Sequence, residues 1–311
     1  MGTAATLGSR AIRGMFFKRL EERAAASWAP RISHMFTSDQ ESETYGFLGQ
    51  TPALRQWVGP RRKGQNKDFE FTIVNDEYEG TIEIAKRDLR RDKTGQVMVR
   101  INDLAARAAI LPQKVLTTLL EGNGTAYDSI AYFGNHSAGR GTRISNALTD
   151  SSVASATAPT SAEMASGILT SIQTIIGALD DQGEPLNEFA EEFLVMVPTL
   201  YWSAAEAAIN DVFTSAGVSN TLQNLAGGKL RVSAVMNPRL TVPSSTGIFY
   251  TFRTDADVKP LIWQDEVEAE FDALTEGSDH AFNTNNYLYG VQRIGAGGLG
   301  EYGMAARMTF S

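Results

Sequence analysis

Between Gln96 and Glu121 the apolar residues fall in one repeating step: Val97, Ile101, Leu104, Ala108, Leu111, Val115 and Leu119 follow at intervals of four and three. That spacing returns side chains to one face of a helix and predicts a one-faced amphipathic helix. At 1.5 Å per residue it would run about 39 Å. Gly95 precedes it, and Gly122 and Gly124 end it. Pro112 lies inside, has no backbone N–H to donate, and is expected to kink the helix or split it in two. In a chain of 311 residues a helix of this length is a strut along which the rest must be arranged.

The flanking text supplies the other elements. Leu7, Ile12, Met15, Phe16 and Leu20 sit at helical spacing among Arg and Lys, predicting a basic N-terminal helix followed by an extended arm. This helix either docks on its own core or packs on a neighbouring subunit. Aromatic–glycine clusters at Tyr45–Gly49 and Trp57–Gly59 read as a chain pinned onto a surface. Phe69, Phe71 and Ile73 alternate with polar residues, and Thr81–Ile84 alternate after a polar turn at Asn75–Glu77. Period two predicts two strands, expected to pair as a hairpin between charged flanks at Arg61–Lys63 and Lys86–Lys93. Residues 136–160, rich in Ser, Ala, Thr and Gly, read as a mobile surface loop. Thr160 and Glu163 form a capping box that opens a second amphipathic helix through Met164, Ile168, Ile172, Ile175 and Leu179. A buried strand at Phe193–Val197 precedes a third helix, with Thr199 as its cap. Strands are expected at 230–236, 248–252, 261–263, 287–294 and 304–310. Helices first and strands later give an α+β fold.

Composition removes several function classes. Hydrophobic residues make up 42% and charged residues 21%, enough for a real core, and no run approaches a membrane span. Cysteine is absent, so neither disulfides nor thiolate chemistry is available. A net charge of −8 argues against nucleic-acid binding as the main task and restricts any DNA contact to a weak local patch. No compact apolar run follows the basic N-terminal residues, so a secretory signal is not expected and the Asn123 and Asn135 sequons are not expected to be used.

Chemistry-bearing motifs are missing too. Gly295, Gly297 and Gly300 match a dinucleotide pattern, but a short strand-like end follows instead of a helix, so they are expected to form a hairpin turn between the last strands. His34, His136 and His280 lack metal-ligand spacing. Neither a nucleophile elbow nor a phosphate loop is present. No catalytic residue, cofactor or metal is assigned. The acidic alternation Asp265, Glu266, Glu268, Glu270 and Asp272 is either a solvated strand face or a patch that binds cations or a neighbour's arginines.

Specific passages carry the reading further. Glu43–Gly49 with Pro52, Leu54 and Arg55–Gly59 resembles the opening of the Mu-like phage major head subunit family (gene product T). Similar text recurs at Phe71–Asn75, Tyr78–Ile82, Val258–Gln264 and Asn286–Gly290. The resemblance runs from about residue 30 to 311 and is looser over roughly 140–230; the acidic stretch after Gln264 departs from the more basic family pattern. It implies a Hong Kong 97-type capsid fold. On that template residues 1–60 are an N-terminal arm and 61–94 an extended β-hairpin loop over a neighbour. Residues 95–185 begin a peripheral domain around a spine helix at 96–121, 186–282 form an axial domain, and 283–311 return to the peripheral domain.

The implied function is that of a tailed-phage major capsid protein, self-assembling as pentamers and hexamers around double-stranded DNA. Portal, a separate scaffolding protein and decoration proteins are the expected partners, with assembly in the bacterial cytoplasm. Interface residues on the loop are expected to be Arg61, Arg62, Phe69, Phe71, Ile73, Ile82, Ile84, Arg90 and Arg91. On the arm they are Phe16, Phe17, Tyr45, Phe47 and Trp57, with Asp265, Glu266, Glu268 and Glu270 as the acidic counterpart. The alternatives are an encapsulin-like compartment shell and a hydrolase without a recognisable motif.

Overall fold

The computed structural model describes residues 3–45, 71–91, 95–137, 143–180, 183–211, 219–226, 228, 230–241 and 247–311. In chain order, helices α1 (Thr3–Ala25) and α2 (Ala29–Ile32) lead into strands β1 (Ser33–Thr37), β2 (Ser42–Tyr45), β3 (Phe71–Val74) and β4 (Asp76–Ala85). Helices α3 (Lys86–Arg91) and α4 (Gln96–Gly122) follow, then β5 (Asn135–Ser137), β6 (Arg143–Ser145), β7 (Ala147–Asp150) and α5 (Ser161–Ile176). Next come β8 (Glu192–Val197), α6 (Trp202–Asn210), α7 (Thr221–Ala226), β9 (Arg231–Met236) and β10 (Gly247–Arg253). The chain ends with β11 (Leu261–Leu274), α8 (Asp279–Thr284), β12 (Asn286–Leu299) and β13 (Ala305–Phe310).

Two sheets organise these elements. The first has the order β1-β11-β12-β4; β1 runs parallel to β11 and the other pairs are antiparallel. Alternation sends Ile84, Tyr287, Tyr289, Val291, Ala269 and Phe271 to one face, where α4 and α1 cover them through Ile101, Leu104, Ala105, Ile12 and Phe16. The buried stripe of α4 runs Val97, Ile101, Leu104, Ala108, Pro112, Leu116 and Leu120. It follows the expected residues at first and then drifts one position ahead of Leu111, Val115 and Leu119. The expected positions keep close to the helical period of 3.6 residues per turn, so Leu111, Val115 and Leu119 still border the same face and are half-buried.

Pro112 does not split α4, which is continuous over 27 residues. The carbonyl left without its usual donor is that of Ala108, four residues earlier. Arg293 Nη1 donates to it at 3.3 Å, while the rest of the guanidinium holds Asp265 through Nε at 2.8 Å and Nη2 at 2.7 Å. One side chain on β12 thus ties the strut to the sheet and repairs the lost hydrogen bond.

The second sheet has the order β7-β13-β10-β8-β9, and its inner strands β8 and β10 are buried on both faces. Phe193, Val195 and Val197 of β8 face α5 and α6, whereas Leu194 and Met196 face a core shared with α4 and the first sheet. This two-sided burial explains the uninterrupted apolar run in β8. The capping box at α5 is complete: Thr160 Oγ1 accepts from Glu163 N–H, and the Glu163 carboxylate accepts from Thr160 N–H at 2.7 Å. Hydrogen bonds from the Ala154 and Thr160 backbone hold the Glu163 carboxyl below its usual range.

Four expectations are corrected. β3 and β4 do not pair as a hairpin: β3 pairs with β2, and β4 pairs with β12. Only Asn75 separates them, too little chain for a reversal, so they run on and serve different sheets. Gly295 and Gly297 lie inside β12 rather than in a turn, as does Gly298, while Gly300 directly follows the strand and donates its N–H to the Pro260 carbonyl. A Cβ at Gly297 would stand 2.8 Å from Leu119 Cδ1, and one at Gly298 would stand 2.3 Å from Ile73 Cδ1. Glycine is used there for close approach on both faces of the sheet. Residues 136–160 contain strands and the fully buried His136. Thr199 belongs to a 3-10 turn (Thr199–Tyr201) rather than capping a helix. α5 and β13 pack with β8 and β10, and β11 joins the first sheet.

Candidate subunit-interface surfaces

Arg61, Arg62, Phe69, Phe47 and Trp57 lie outside the described residues. Arg90 and Arg91 close α3, immediately after β4. The apolar loop residues are mostly used within this chain. Ile73 is 4% exposed and packs on Ile262 and Ala296, with Phe71 half-buried beside it. Ile84 is 3% exposed in the core beneath α1 and α4, with Ile82 half-buried against it. Ile73 and Ile84 are therefore closed to a neighbour. Phe16 is fully buried, its ring 4.5 Å from Phe271, and Phe17 meets Phe16 edge-on at 5.4 Å. Helix α1 is docked on its own core. Tyr45 donates to Gln264 Oε1 at 2.7 Å and lies 5.1 Å from the Phe36 ring; burial, with Glu43 nearby, pushes its hydroxyl up to about 12.

The acidic run divides by strand alternation and by register shifts near Asp265 and Val267. Asp265 is buried and taken by Arg293. Glu266 accepts from Asn75 Nδ2 at 3.0 Å. Glu268, Glu270 and Asp272 stay exposed on the face opposite α4. There β4 adds Glu77, Glu79 and Glu83, and Gln292 of β12 stands in register between Glu79 and Glu270. Gln292 donates to Glu77 at 2.6 Å and Asn286 to Glu83 at 2.8 Å; His280 Nε2 lies 3.3 Å from Glu83. Neutral donors on the middle strand thus separate two acidic strands, an arrangement the linear run 265–272 did not reveal because half of it comes from β4.

Exposed apolar side chains mark two further surfaces. Phe282, 89% exposed on α8, stands at the tip joining β11 to β12, beside a shallow cleft of about 420 Å³ bordered by Lys86 and Glu276. Phe189 and Leu200, 81% and 60% exposed, lie on either side of β8 in sequence.

One polar cluster was not foreseen. Glu301 is buried between the two sheets, accepts from Gly303 N–H at 3.1 Å and from the Tyr127 hydroxyl at 3.1 Å, and is pushed up to about 7 by burial. Tyr127 stacks on Tyr302, whose other neighbour is the His136 ring at 3.7 Å. His136 Nδ1 lies 2.6 Å from Asp128 Oδ2, and its Nε2 lies 3.1 Å from the Tyr132 carbonyl. An Asp and a His eight residues apart in a loop-like stretch carry no sequence signal. His136 is wholly enclosed, so the cluster fastens the segment after α4 to the start of β13 rather than meeting a substrate. Among the described residues no group of His, Asp and Glu is arranged to hold a metal, and no helix is long and apolar enough to cross a membrane.

The family model described as Mu-like prophage major head subunit gpT matches residues 9–161 and 231–309. The major capsid protein of Escherichia phage Mu is 32% identical over 111 residues, covering 35% of this chain and 36% of that protein. The Mu-like prophage FluMu major head subunit of Haemophilus influenzae is 31% identical over 111 residues, with the same coverage. Each alignment thus spans little more than a third of the relative. Among solved structures, the procapsid of bacteriophage JBD30 superposes with a TM-score of 0.53 at 18% identity, covering 98% of this chain and 75% of that one. The capsid of cyanophage P-SCSP1u gives 0.57 at 14% identity, covering 90% and 86%. The mature capsid of bacteriophage PhiM1 gives 0.57 at 9% identity, covering 92% and 87%. At these identities the likeness establishes the fold.

Proposed function

Because the chain belongs to the Mu-like prophage major head subunit family and has the Hong Kong 97-type fold, we propose that it is the major shell-forming protein of a tailed-phage head and not an enzyme. The observation that carries this reading is the reach of the family match, which takes in both the helix layer and strands of both sheets. Many copies, arranged as pentamers and hexamers, enclose double-stranded DNA. Portal, scaffolding and decoration proteins complete the head, which assembles in the host cytoplasm.

The mechanism is geometric. Distinct surfaces on one subunit close rings by rotation and join rings into a shell. Each contact buries on the order of 1,000–2,000 Å², and their combined action holds the shell while single misplaced copies still leave. We assign the arm to residues 1–60 and the loop to 61–94; the arm lends α1 and β1, and the loop lends β4, to a peripheral unit built on the four-stranded sheet and α4, while the axial unit is the five-stranded sheet with α5 and α6. Arg61, Arg62, Arg90 and Arg91 then pair with a neighbour's exposed Glu268 and Glu270, extended by the β4 carboxylates; complementary charge selects the correct approach.

Negative-stain electron microscopy of the expressed protein tests the reading: closed shells or hexamer tubes support it, whereas small uniform particles at every salt and protein concentration overturn it. Arg90→Glu/Arg91→Glu tests the pairing. Loss of shells with unchanged circular dichroism is expected, and normal shells would remove these two arginines from the interface.

A further inference from the structure

The peripheral unit is a slab with two unlike sides. Its outer sheet face carries the exposed carboxylates of β4 and β11, and no Lys or Arg from β4, β11 or β12 faces out among them. Its other side is made by α1 and α4, which together carry eight Lys or Arg against four Asp or Glu, although the whole chain has a net charge of −8. Arg100, Arg107 and Lys114 are all exposed. They repeat every seven residues, so they form one row with steps of about 10.5 Å along the outer side of α4. On α1, Arg10 and Lys18 are exposed as well. Ion pairing neutralises this side only in part, through Arg107 with Asp103 at 2.9 Å and Arg19 with Glu22 at 3.1 Å.

Two occupants fit a basic face by charge: a second copy's acidic face, or a polyanion. The basic and acidic faces lie on opposite sides of one slab. A contact between them is head-to-tail, and its repetition stacks copies into an open column instead of closing a layer. The faces of a closed shell must instead look to its two sides. We propose that the α1–α4 face is the nucleic-acid-facing surface of the subunit and that it contacts the phosphates of duplex DNA through the Arg100–Arg107–Lys114 row. The acidic sheet face, which repels phosphate, looks away from the DNA. The contact is independent of base sequence, because exposed point charges on a helix flank read backbone charge and not base edges. The orientation rests on the shell reading above; the surface chemistry does not.

The test measures binding of the full chain to a short labelled duplex by fluorescence anisotropy across a salt series. Log affinity should fall linearly with log salt, at about 0.9 per phosphate contacted. Arg100→Gln/Arg107→Gln/Lys114→Gln should make that slope shallower by about 2 to 3. Arg10→Gln/Lys18→Gln, on a different helix, is the second variant should the first fail to fold, and it too should flatten the slope. Glu77→Gln/Glu79→Gln/Glu270→Gln should leave affinity unchanged or raise it. An unchanged slope in the folded basic-face variants overturns the proposal. So does the absence of duplex binding at low salt, or a basic-face variant that alters only self-association by sedimentation. Electron microscopy of the same preparations reads the shell proposal separately, so failure to form shells is not confused with failure to bind DNA.

Discussion

Replacing Glu301 with Gln should change how the stability of the unassembled chain depends on pH. Burial raises the Glu301 carboxyl to about 7 from the ordinary 4.5; hydrogen bonds from Gly303 N–H and the Tyr127 hydroxyl oppose the rise, and Asp128 adds to it. A carboxyl raised in the fold keeps its proton while the unfolded chain has released it. Below about 4.5 both states are protonated and stability is full; between about 4.5 and about 7 unfolding releases a proton, so stability falls as pH rises; above about 7 both states are ionised and the loss is complete. At about 1.4 kcal/mol per pH unit, the loss amounts to about 3 kcal/mol. Glu301→Gln keeps an oxygen for Gly303 N–H and removes the charge, so the variant should match the parent in acid and exceed it by up to about 3 kcal/mol above neutrality. Urea unfolding of both proteins, at several pH values from about 4 to about 9, gives the difference curve, in which unrelated titrating groups cancel. Parallel stability curves would refute the reasoning, as would a variant that loses stability at every pH.

Three further outcomes follow from named contacts. Arg293→Met leaves Asp265 buried without its partner and should cost about 3–5 kcal/mol; the loss should be smaller in a Pro112→Ala background, where the Ala108 carbonyl regains a helical donor, and equal losses in a double-mutant cycle would contradict the repair described here. Gly298→Ala should cost about 1–3 kcal/mol in denaturant unfolding because its methyl meets Ile73, and Ile73→Ala should recover part of that loss. Thr160→Ala removes the side-chain half of the capping box and should lower stability by about 1 kcal/mol, with the change confined to the midpoint and not the slope of the unfolding curve.

Local pattern was enough for much of this protein. Steps of four and three located α4, Thr160 with Glu163 marked the start of α5, and alternation located β3 and β4 as strands. Those features are set by neighbours a few residues away, so the chain displays them directly. The resemblance in the aromatic–glycine and Lys-Pro-Leu-Ile passages led to the family for the same reason. Partnership was not legible. β4 pairs with β12, some 200 residues further on, and β3 folds back on β2, because strand pairing is decided by which faces can be buried together and not by proximity in sequence. The glycines of β12 looked like a turn until α4 and Ile73 were seen pressing on both sides of them. The buried Glu301–Tyr127 contact, the Arg293 bridge to Asp265 and the Ala108 carbonyl, and the two-strand acidic face each join residues from distant segments. Sequence by itself determined the elements and the family; only tertiary packing decided which charges are enclosed and which are left for a partner, since burial belongs to the assembled fold and not to any stretch of chain.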